Sequence, residues 1–144
     1  MSQADNAAIM FSDGYNCSQA VLLAFAPQYG LDRETAQRIA AAFGGGLGRQ
    51  GLVCGAVSGA AIVLGFMENT PITDNHALTE RTYARLQQFM EKFKASNGSI
   101  LCRELLGYDV SAPAELQQAK AKGLFITRCP VFVSNAVTIL EELR

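Results

Sequence analysis

Apolar positions along this chain recur at helical spacing, and strict alternation of apolar and polar residues is nearly absent. Residues 3–11 form a short amphipathic opening segment. The stretch "NCSQAVLLAFA" begins with Asn16 as N-cap and Gln19 three residues later, a capping-box pattern, and Gly30 ends that region. "DRETAQRIAAAF" starts on Asp32 and stops at glycines 44–46. A run of small apolar residues over about 52–66 reads as a buried helix. The longest helix is "TDNHALTERTYARLQQFMEKFKAS", with Leu78, Tyr83, Leu86, Phe89, Met90 and Phe93 along one stripe and a break at Asn97-Gly98-Ser99. A short helix over 100–106 is closed by Gly107. Another is capped by Ser111 and ended by Gly123, and a last one runs from Cys129-Pro130 to Leu143. Its "VFV" resembles a strand, but the surrounding pattern favours helix. The pattern predicts an all-α fold, a single compact helical bundle-like domain of about six to eight helices spanning residues 1–144.

At 144 residues the chain is long enough to bury a core of its own, and nearly half its residues are apolar. The net charge of −1 is spread without acidic or basic blocks, which argues against a nucleic-acid or membrane surface bound mainly by charge. The longest apolar run, Ala56 to Met67, is too short to span a bilayer, so no membrane insertion is expected. The first residues, "MSQADNAAIMFSDGYNCS", lack a basic region followed by an apolar core, and the cytoplasm is the expected compartment. Abundant apolar residues with little charge point to one face buried in a homodimer.

Four cysteines, Cys17, Cys54, Cys102 and Cys129, carry the candidate chemistry. Each falls in or near the first turn of a predicted helix. Unpaired N–H groups and the positive end of the helix dipole favour a thiolate over a thiol there. A thiolate is both a nucleophile and a metal ligand. No two cysteines are close in sequence, so any shared site is assembled by tertiary folding. The short-range pairs of zinc ribbons, ferredoxins and thioredoxin-like sites are absent. The alternative is that each cysteine is a small core hydrophobe.

Other motifs are weaker. Gly46-Leu47-Gly48-Arg49-Gln50-Gly51 matches G-x-G-x-x-G, but the segment before it reads as helix, so it is taken as a turn delivering the chain to Cys54. Gly55 and Gly59 share a helix face that permits close helix packing or the approach of a cofactor to Cys54. His76, the one histidine, reads as solvated. Arg49 and Arg103 neighbour Cys54 and Cys102 in sequence, either as thiolate-stabilising cations or as plain surface residues.

Cys17, then Cys54-Gly55-Ala56-Val57-Ser58-Gly59, then Cys102 and Cys129, resembles the C_GCAxxG_C_C family over nearly the whole chain. The four cysteines, Gly55, Ala56 and Gly59 all match its pattern. The resemblance implies redox activity without naming a substrate or cofactor. The expectation is that the cysteines gather around the start of the CGAxxG helix, with Cys17 as the first-choice partner of Cys54. Two mechanisms follow. Cysteine pairs exchange electrons as dithiol and disulfide with a redox partner protein, or the four thiolates hold an iron–sulfur cluster or zinc. The contrasting class is a helical adaptor whose cysteines only pack.

Overall fold

The computed structural model describes residues 2–144. Among these residues eight helices are five residues or longer. They are α1 (Gln3–Ser12), α2 (Cys17–Phe25), α3 (Arg33–Ala40), α4 (Gly55–Met67), α5 (Asn75–Asn97), α6 (Cys102–Leu106), α7 (Pro113–Ala121) and α8 (Cys129–Glu142). The only extended pairing among them is an isolated antiparallel bridge between Val53 and Leu101. The protein is all-α, as the periodicity predicts.

Helix starts legible in the sequence form by the expected chemistry. The Asn16 side chain accepts from the Gln19 N–H at 2.9 Å, and the Gln19 side chain accepts from the Asn16 N–H at 2.9 Å. Asp32 caps α3 by accepting from the Thr35 N–H at 3.0 Å. Gly98, at φ +97, closes α5.

α2 and α4 lie side by side at the centre, and α8 packs against α1, α2, α4 and α5. The core joins Val21, Leu22 and Phe25 of α2 to Ala60, Val63 and Leu64 of α4 and to Val133, Val137 and Leu140 of α8. From α5, only Phe89 and Phe93 are fully buried. Each apolar side chain of this size contributes about 1.5–3 kcal/mol when buried.

Four sequence expectations need correction. Ser111 does not cap α7. It is drawn into a turn in which Asp109 accepts from its N–H and hydroxyl at 3.0 and 2.6 Å, and Ala112 takes the cap position ahead of Pro113. The CGAxxG helix begins at Gly55 rather than about residue 52, because Leu52–Cys54 is extended and bonded to the segment before α6. α3 ends at Ala40 and tightens into a 3₁₀ turn over Ala41–Phe43. In the predicted α5 stripe Tyr83 is 57% exposed, since the first half of this helix reaches beyond the core.

One helical run, Leu124–Glu142, is long and apolar enough to cross a membrane by length and composition, with a mean hydropathy of 1.3. It is a marginal case of a kind that core helices also satisfy, and Phe132, Val133, Ala136, Val137, Ile139 and Leu140 are buried within the fold.

Candidate functional site: a cavity walled by four cysteines

α2 and α4 approach closely because the facing positions of α4 have no side chain. A Cβ on Gly59 would stand 2.7 Å from the Ser18 carbonyl oxygen and 3.1 Å from the Val21 Cβ. A Cβ on Gly55 would overlap the Cys17 sulfur and lie 2.9 Å from the Phe43 carbonyl oxygen. Gly55 therefore brings the start of α4, and Cys54 with it, onto the start of α2.

The segment between α3 and α4 forms the next wall. Gly45, Gly46, Leu47, Gly48 and Arg49 have φ of +66, +67, +70, +62 and +63, a turn of left-handed helix. Its bonds run from the Gly48 N–H to the Gly44 carbonyl at 2.9 Å and from the Leu52 N–H to the Gly46 carbonyl at 2.9 Å. Glycines adopt this conformation freely, whereas Leu47 and Arg49 each cost about 1–2 kcal/mol. Tertiary crowding also excludes side chains. A Cβ on Gly44 would stand 2.7 Å from the Asn16 side chain, and one on Gly46 2.7 Å from the Cys102 Cβ.

The turn is fastened to α6. Arg103 donates from Nε to the Gly51 carbonyl at 3.0 Å and from its terminal nitrogen to the Gln50 carbonyl at 2.9 Å. The Cys102 N–H donates to the Leu52 carbonyl at 2.6 Å and the Cys54 N–H to the Ile100 carbonyl at 2.8 Å. These bonds bring the Cys54 and Cys102 segments together across the fold. Arg103 thus serves the backbone, although its charge also draws the Cys102 thiol toward ionisation. Arg49 lies on the cavity wall, and His76 is exposed on α5.

All four cysteines line one cavity of about 580 Å³. Its other walls include Phe11, Tyr15, Asn16, Leu105, Phe125 and Phe132. Gly55 is on this wall, while Gly59 packs against Ser18 one turn further along and is not among the lining residues. Of the two small positions proposed to face a cofactor, Gly55 alone borders the space where one would sit.

Cys17 and Cys54 are linked. The neighbouring Cys54 thiol, first, and then the backbone N–H groups of Gly45, Ser18 and Cys17 itself stabilise negative charge on the Cys17 sulfur. These donors favour the thiolate and bring Cys17 down to about 7, against the penalty of burial. Cys54 moves the opposite way, well above the ordinary thiol value, because its proton is held by the Cys17 sulfur and its surroundings are apolar. Burial is the main cause that pushes Cys102 up to about 11 and Cys129 up to about 12.

The helix-start argument therefore holds only in part and for one cysteine of four, since the Cys54 thiol lowers Cys17 more than the N–H groups at the start of α2 do. α6 is five residues long, and the turn Leu124–Thr127 runs almost continuously into α8, so neither Cys102 nor Cys129 caps a long, free helix end. Desolvation then outweighs the dipole. Sequence reasoning also missed Ser18. This buried hydroxyl donates to the Ala40 carbonyl at 2.7 Å and faces the Asn16 side-chain oxygen at 2.8 Å, tying α2 to the end of α3. A serine after a cap residue looks like a surface residue until the partner helix is known.

Among the described residues no group of three or more His, Cys, Asp or Glu side chains converges closely enough to hold a metal ion. The four cysteines border one cavity without converging on one point, so the arrangement as it stands does not fit a cluster or a zinc ion.

Fold and site together define a helical protein built around a four-cysteine cavity. The family described as "Putative redox-active protein (C_GCAxxG_C_C)" matches residues 15–143, and the chain belongs to that family. No curated protein and no solved structure matches the chain.

Proposed function

We propose that this chain is a dithiol–disulfide redox protein in which Cys17 attacks and Cys54 resolves. The observation that carries the reading is that the Cys17 sulfur sits in the space left by Gly55, next to Cys54 in the same cavity, the two thiols having opposite pKa shifts. A thiolate at neutral pH beside a protonated thiol is the pairing that two-electron exchange uses. The Cys17 thiolate bonds to the acceptor as the acceptor's own bond to a leaving group breaks, that leaving group takes the proton of Cys54, and the Cys54 thiolate then attacks the Cys17 sulfur, breaking the bond between Cys17 and the acceptor and closing the disulfide. Two electrons leave with the acceptor. Cys102 and Cys129, held as thiols by burial, border the same cavity and stay out of this step.

The reading is tested by oxidising the reduced protein with diamide and mapping disulfides by mass spectrometry after acid quench. The expected bond is Cys17–Cys54. Pairing of other cysteines, or none, overturns the assignment.

A second reading starts from the four cysteines that border one cavity: an iron–sulfur cluster or zinc held by all four thiolates. It requires Cys102 and Cys129 to lose protons that burial makes them keep, and the sulfurs to converge further. Iron and zinc analysis of protein purified without oxygen separates the two readings, since stoichiometric metal with bound sulfide would favour the cluster.

A further inference from the structure

We propose that the four-cysteine cavity binds an organic hydroperoxide with an apolar body and one carboxylate, its peroxide at Cys17 and its carboxylate toward Arg49. This rests on the dithiol reading and specifies the oxidant.

Size comes first. About 580 Å³ is far larger than hydrogen peroxide needs and lies in the range of sites that hold small organic molecules. The walls come second. Phe11, Leu105, Leu106, Leu116, Phe125 and Phe132 form an apolar lining that suits an acyl or aryl body. Charge comes third. Arg49 is the only charged residue on the wall, and no Asp or Glu lines it. Among the described residues Arg49 makes no ion pair, unlike Arg38, Arg81 and Arg85. An anionic group is the complement of that guanidinium. Disulfides of amino-acid type carry ammonium groups as well as carboxylates, and the cavity has no carboxylate to receive them.

The thiol pair selects the reacting bond. The Cys17 thiolate attacks the terminal peroxide oxygen, the O–O bond breaks, and an alkoxide departs. An alkoxide is strongly basic and needs a proton as it forms. The Cys54 thiol, which borders the same cavity next to the Gly55 gap that holds the Cys17 sulfur, supplies it. The products are the alcohol, a Cys17 sulfenic acid and a Cys54 thiolate. That thiolate attacks the Cys17 sulfur, the S–O bond breaks, and hydroxide leaves as water after taking a proton from solvent. The hydroperoxide gains two electrons and the cysteine pair loses two.

The test is stopped-flow oxidation of the fully reduced protein by hydrogen peroxide, cumene hydroperoxide, linoleic acid hydroperoxide and the methyl ester of the last. A Cys17→Ser control establishes which sulfur reacts. The organic hydroperoxides are expected to react about 100-fold faster than hydrogen peroxide, through apolar contact with the wall. The free acid is expected to outpace its ester by about tenfold, and Arg49→Gln to bring the two within about twofold. Hydrogen peroxide reacting as fast as the organic peroxides, or acid and ester reacting alike in the unmodified protein, overturns the proposal. A preference for the acid that survives Arg49→Gln overturns the orientation. If diamide closes the Cys17–Cys54 bond and the hydroperoxides do not, the substrate inference alone fails. If neither closes it, the dithiol reading fails and this inference with it.

Discussion

The Cys17 sulfur occupies the space that Gly55 leaves by having no side chain, which sets it next to Cys54. One missing Cβ thus connects helix packing to thiol chemistry.

Alkylation should separate the two sulfurs by pH. Cys17 loses its proton at about 7, so its reaction with iodoacetamide is expected to rise from pH 6 and level off above pH 8. Cys54, at a helix cap, would be the reactive one by position alone, but its shift is upward, and its labelling should lag at every pH in that range. Site-resolved mass spectrometry of the reduced protein checks this, and Cys54 labelling ahead of Cys17 would reverse the roles.

Stability of the reduced protein should carry the same signature. A depressed acid pKa adds stability above its unfolded value and loses it as pH falls through the folded one. For Cys17 that window runs from the ordinary 9.0 down to about 7. Cys54, Cys102 and Cys129 are raised, so the unfolded chain gains by ionising them above the ordinary thiol value. The urea midpoint is expected to climb from pH 7 toward pH 9 and fall beyond, relative to Cys17→Ser, which should lack the climb. Parallel profiles for the two proteins would count against the Cys17 shift.

Two glycines of α4 should respond oppositely to alanine. Gly59→Ala sets a methyl 2.7 Å from the Ser18 carbonyl oxygen and is expected to destabilise by about 1–3 kcal/mol. Gly65 has nothing within 4 Å of its added Cβ, so Gly65→Ala should stabilise by up to about 1 kcal/mol through helix propensity. Thermal midpoints moving in the same direction would show that the α2–α4 contact is looser than described.

Leu47→Gly should raise stability by about 1 kcal/mol, because it relieves a left-handed residue that is 46% exposed and buries little apolar area. A lower midpoint would mean that the Leu47 side chain is needed where it stands.

The helices were legible in the sequence because their signals are local. Asn16 with Gln19, Asp32 with Thr35, and Gly98 after the long helix each act over about one turn, and the apolar repeat marks a buried face whatever lies opposite. Ser111 was misread for the same reason, since a cap residue can bond in either direction and Asp109 claimed it. The four cysteines could be picked out as a set, but the ranking that position suggests, with Cys54 the most reactive, is reversed by the fold. A helix start lowers a thiol's pKa through neighbours a few residues away, whereas burial and a second sulfur raise or lower it through groups far off in the chain. Only the packing of α2 on α4 decided that Cys17 carries the charge and Cys54 the proton. Only the bonds from Arg103, Cys102 and Cys54 to distant backbone closed the glycine turn over α6 and completed the cavity. Those contacts join residues 46 to 53 positions apart. Sequence periodicity reports which face of a helix is buried, and it carries no information on which helix covers it.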